Sequence, residues 1–134
     1  MNSFSNNGIE VLQNTLIGAP LVWCSQIILK LTDHDSLLGV LLGGSISYKP
    51  SVERADVDFF CLTNELKVSE QFIFNEIQKL DFVEVIVHQG FFSWTNELYT
   101  IYFKEDLDFS IDICLVDEIK KDNFFLGTRW ENYL

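Results

Sequence analysis

Two aspartates spaced two apart, Asp56 and Asp58, stand at the head of an apolar run that continues through Phe59, Phe60, Cys61 and Leu62. The run from Val57 to Thr63 is predicted to be a strand. Side chains alternate across a strand, so both acids share one face, about 7 Å apart, while Val57 and Phe59 point into the core. Upstream, Leu37 to Leu42 is a continuous apolar run that ends in Gly43-Gly44, the pattern of a buried strand followed by a tight turn. These two strands anchor the prediction for the rest of the chain.

A polar leader, residues 1–7, precedes a short helix over about residues 8 to 17, which Gly18 and Pro20 break. Trp23, Ile27 and Leu31 recur four apart with Cys24 and Ile28 beside them, which predicts an amphipathic helix. Residues 45 to 55 form a short helix or a loop in this reading. Ser69 is expected to cap a helix that reaches about Leu80, with Ile73, Ile77 and Leu80 on its inner face. Phe82 to His88, Leu98 to Phe103 and Phe109 to Val116 are β-rich, and the breaks between them contain Gly90, Asn96, Glu105 and Asp106. Two strands with helical crossovers followed by a meander predict one α/β (α+β) domain over residues 1–134, a mixed β-sheet with helices packed on one face. The tail from Glu118 to Leu134 reads equally as helix or irregular chain.

A chain of 134 residues buries roughly two-thirds of its unfolded surface. Apolar residues make up 48% of it, twelve of them Phe, which excludes disorder and predicts an aromatic core. The formal net charge of -11 repels phosphate backbones, so general nucleic-acid binding is not expected. Leu16 to Leu31 is too short and too interrupted to span a bilayer, and no membrane role is expected. Cys24, Cys61 and Cys114 lack metal-ligand spacing and sit in apolar surroundings. Buried free thiols and a reducing, cytoplasmic compartment are the plain expectation. His34 and His88 carry no spacing that suggests metal or catalysis, and surface or sheet positions are expected for them.

The chemistry concentrates around the two acids. Gly44 after a strand lets the backbone approach a phosphate closely, and Ser45 adds a hydroxyl and opens a segment of backbone N–H groups. After ten further residues come Asp56 and Asp58. Two acids on one face beside a glycine turn suit magnesium, which takes a few carboxylates, waters and substrate phosphates. Lys49 and Arg54, between the two halves, are candidates to neutralise triphosphate charge.

This combination of Gly44, Ser45, Asp56 and Asp58 resembles the nucleotidyltransferase superfamily, the polymerase-beta-like fold, over about residues 20 to 116. That family carries a third carboxylate on a later strand. Asp112, between Ile111 and Ile113, matches it, with Glu84 as the alternative base. Among subfamilies the chain looks most like the antibiotic (aminoglycoside and lincosamide) adenylyltransferases, in which the third acid follows a β-hairpin. The resemblance implies transfer of a nucleoside monophosphate from a nucleoside triphosphate such as ATP to a small-molecule or protein acceptor hydroxyl. It implies two magnesium ions on Asp56, Asp58 and Asp112, and a nucleotide held by Gly43, Gly44, Ser45, Lys49 and Arg54. The family's pattern places Ser before the first Asp, where this chain has Ala55, and its antibiotic-modifying members add a helical second domain. Minimal members also act as antitoxins on a helical partner protein, and others bind nucleotide without turnover. A homodimer is compatible with either.

Overall fold

A computed structural model of the chain describes residues 7–43 and 56–124. The expectations for residues 45–55, for the first six residues of the leader and for the tail beyond residue 124 lie outside them. Helices α1 (Asn7–Thr15) and α2 (Ala19–Thr32) lead into strands β1 (Leu37–Gly43) and β2 (Asp56–Thr63). Helix α3 (Leu66–Phe72) runs into a π-helical turn (Ile73–Ile77), and strands β3 (Val83–Phe92), β4 (Thr95–Phe103) and β5 (Ser110–Val116) precede helix α4 (Glu118–Phe124). No described helix is long and apolar enough to cross a membrane.

Gly18 separates α1 from α2 because its φ of 68° suits a residue without a Cβ. Pro20 falls in the first turn of α2, where the missing N–H leaves no helical bond unmade. Trp23, Cys24, Ile27, Ile28 and Leu31 form the buried stripe that their spacing predicts. Trp23 stacks on Phe103 at 4.6 Å between centroids, and Phe82 and Phe109 flank the pair, so the core is aromatic as expected.

The sheet order is β1-β2-β5-β4-β3. Val57, Phe59, Cys61, Ile111, Ile113, Tyr99 and Ile101 join the buried residues of α1, α2 and α3 in one cluster, so these helices cover one face. The meander of β3, β4 and β5 is antiparallel, and β5 lies parallel to β2. Composition does not encode strand direction, and here the expectation needs correction: β1 and β2 are antiparallel neighbours, not partners across a helical crossover. The described crossover runs from β2 through α3 to β3 at the far edge.

Ser69 is the second correction. Glu65 occupies the N-cap of α3, and Ser69 lies buried inside the helix. Its hydroxyl meets Ser36 Oγ at 2.6 Å and Thr63 Oγ1 at 2.7 Å, joining three segments. The bond from Gln78 N–H to the Ile73 carbonyl then widens the helix into the π turn, where Ile73 and Ile77 are both buried. Gly90 and Asn96, read as breaks, are strand residues. Gly90 sits at a register shift in β3 with φ 97°, and Asn96 accepts from Asp117 N–H at 2.7 Å. Asp117 in turn accepts the Lys120 N–H at 2.8 Å and so caps α4.

Candidate metal centre

The burial of Ile111 and Ile113 against the helices turns Asp112 to the opposite face of β5, as Val57 and Phe59 do for Asp56 and Asp58 on β2. The parallel register then places Asp58 directly beside Asp112 and Asp56 beside Ser110. Ligand oxygens of Asp56, Asp58 and Asp112 lie within 4.8 Å of one another. Asp56 is exposed, while Asp58 and Asp112 are half-buried. The structure therefore brings together the three acids that the sequence singles out.

Two residues missed in the sequence complete the arrangement. Thr100, opposite Asp112 on β4, donates its hydroxyl to Asp112 Oδ1 at 2.7 Å. Gln89 on β3 donates Nε2–H to Thr100 Oγ1 at 3.4 Å. Alternation between the buried Tyr99 and Ile101 is a signal that Thr100 faces the acids, but its pairing with Asp112 depends on register, which the sequence does not print. Cys114 shares the acidic face, and burial, then the charges of Asp58 and Asp112, push its thiol well above the usual range. It stays a neutral neighbour of the acids.

Gly43 ends β1 directly across from Asp58. A Cβ there would stand 2.2 Å from the Phe60 ring, so glycine is required for packing, whatever it does for a nucleotide. Gly44, Ser45, Lys49 and Arg54 lie outside the described residues. Glu84 is exposed on β3, with β4 between it and β5, and does not join the three acids.

The donor set is hard and anionic, which fits magnesium. That ion binds oxygen at about 2.0–2.1 Å and keeps positions for water and phosphate when carboxylates are few. The half-exposed setting leaves room for such ligands.

Among solved structures, the chain is similar to a chain of the GLD-2–GLD-3 poly(A) polymerase complex, with a TM-score of 0.52 and 15% identity. The fold is that of the nucleotidyltransferases. The likeness covers 86% of this chain but only 40% of that one. No family model matches the sequence, and no curated protein does. Within this nucleotidyltransferase fold, the three acids occupy the face that α1, α2 and α3 leave open.

Proposed function

We propose that the chain is a magnesium-dependent nucleotidyltransferase that moves a nucleoside monophosphate from a nucleoside triphosphate to an acceptor hydroxyl on a small molecule or protein. The observation that carries this reading is the convergence of Asp56, Asp58 and Asp112 across β2 and β5. Asp56 and Asp58 would hold the two ions, and Asp112 would share one of them. When bound, magnesium neutralises triphosphate charge and lowers the pKa of the acceptor hydroxyl. The protein's own part is positioning. Thr100 fixes the Asp112 carboxylate by bonding one of its oxygens, and Asp112 is then aimed to take the acceptor's proton. Gly44 and Ser45 would grip the β- and γ-phosphates.

The β3–β4 hairpin ahead of the third acid supports an acceptor like that of the antibiotic adenylyltransferases. The net charge of -11 favours a second reading, in which the acceptor is a helical toxin-like partner whose basic, nucleic-acid-binding surface the acidic domain covers. It also argues against a nucleic-acid backbone as the general partner.

Calorimetric titration of ATP, GTP, CTP and UTP, each with and without magnesium, tests the proposal. Magnesium-dependent binding of at least one nucleotide is expected, and Asp58→Asn should remove it. Binding that ignores magnesium, or that survives in Asp58→Asn, rules the metal assignment out.

A further inference from the structure

A second convergence of ligand groups lies on the helix-covered face, at its rim. Glu70 of α3, His88 of β3 and Glu97 of β4 each offer one ligand atom, and these atoms lie within 4.8 Å of one another. Tyr99, which pairs with Ile113 on the buried face of β5, marks the side of the sheet involved. Asp112 and Thr100 point the other way, so this cluster is separate from the acids on β2 and β5.

We propose that Glu70, His88 and Glu97 bind a divalent transition-metal ion of the zinc class. One imidazole with two carboxylates is a mixed nitrogen and oxygen set suited to zinc, with a fourth position left for water. A tetrahedral zinc holds such ligands at about 2.0–2.2 Å, so ligand atoms around one ion stand about 3.3–3.6 Å apart. Closing on an ion takes side-chain rotations that bring the wider-spaced atoms inward and part His88 Nε2 from Glu97 Oε1, which now stand 2.7 Å apart. Glu70 and Glu97 are half-buried and His88 is exposed, which gives an ion a route in.

The surroundings prepare the ligands. The Tyr99 phenol donates to Glu70 and so orients that carboxylate. The Tyr99 ring also stacks on His88, 4.7 Å between centroids and 14° apart in plane. His88 Nε2 now meets Glu97 Oε1 at 2.7 Å, and the ion takes the place of the shared proton. Two carboxylates gathered near one imidazole repel one another, and His88 carries at most one compensating charge. A divalent ion satisfies both. Because its ligands come from α3, β3 and β4, the ion also ties the helix to the hairpin.

The chain has only two histidines, His34 and His88, so imidazole NMR signals report on the site directly. Zinc titration should move the His88 resonances to completion at one equivalent while those of His34 stay in place. Tyr99→Phe, which keeps the ring but not the phenol, should weaken zinc about 10- to 100-fold. Glu70→Gln should abolish stoichiometric binding, and Asp56→Asn should retain it, which separates this site from the proposed magnesium centre. His88 signals unmoved by several equivalents of zinc overturn the proposal. So does wild-type affinity in Glu70→Gln, which would reduce His88 to a surface ligand acting alone.

Discussion

Thr100 is a small residue with a large influence on the acidic face. Its hydroxyl occupies one oxygen of Asp112, and Gln89 extends the bond across the next strand. Partners that orient a metal ligand commonly account for 10- to 100-fold in metal affinity. Thr100→Val should therefore weaken magnesium-dependent nucleotide binding by about that factor, and Thr100→Ser should restore it. Calorimetry on both variants checks this, and equal affinities in wild type and Thr100→Val would leave the hydroxyl without a role. Gly43 offers a contrasting test in which packing alone is at stake. An added Cβ would stand 2.2 Å from the Phe60 ring, so one of them has to move. Overpacking of this kind costs about 1–3 kcal/mol. Urea unfolding should show that loss in Gly43→Ala, and Phe60→Leu in the same chain should recover part of it.

At the scale of elements, the buried hydroxyls of Ser36, Ser69 and Thr63 tie the α2–β1 turn, helix α3 and the end of β2 together. The Glu65 N–H donates to Thr63 Oγ1, and the Ser36 N–H donates to His34 Nδ1. These two fixed donors favour a chain that runs from Thr63 through Ser69 and Ser36 to His34. Ser69→Ala breaks it in the middle and leaves the buried Thr63 hydroxyl proton without its acceptor, while Ser36 Oγ keeps only His34, a loss of about 1–3 kcal/mol that denaturant titration would measure. No sequence pattern distinguishes this Ser69 from an N-cap, since both uses place serine near a helix start. The strands were legible for the opposite reason. Alternation at Asp56–Thr63 and Ser110–Val116 records burial on one face, so it gave both the core and the facing of the three acids. Strand direction and register are set by contacts between distant segments. The antiparallel β1–β2 pair and the bond from Thr100 to Asp112 were therefore unreadable. The same holds for His88, whose partners lie nine residues away on β4 and on α3.

For the whole molecule, burial has a consequence at alkaline pH. It holds the thiols of Cys24, Cys61 and Cys114 well above their ordinary range, so the folded chain keeps protons that the unfolded chain gives up. The unfolded thiols titrate near pH 8.5. Below that value both states are protonated and the full stability is present. Above it the unfolded ensemble binds fewer protons, and stability falls as pH rises towards the folded pKa values. Each thiol then costs about 1.4 kcal/mol per pH unit. The three together should remove about 4 kcal/mol by pH 9.5, a large part of a typical domain's 5–15 kcal/mol. The Tyr99 phenol, raised in the same way, adds to the slope above about pH 10. The net charge of -11 opposes folding throughout, but it is screened by salt, whereas burial of the thiols is not. Urea unfolding at pH 7.5 and 9.5 in 0.5 M salt should therefore still show the loss, and Cys24→Ala should reduce it by about one third. Equal stability at the two pH values would mean that the thiols ionise as readily in the fold as outside it, against the burial of all three.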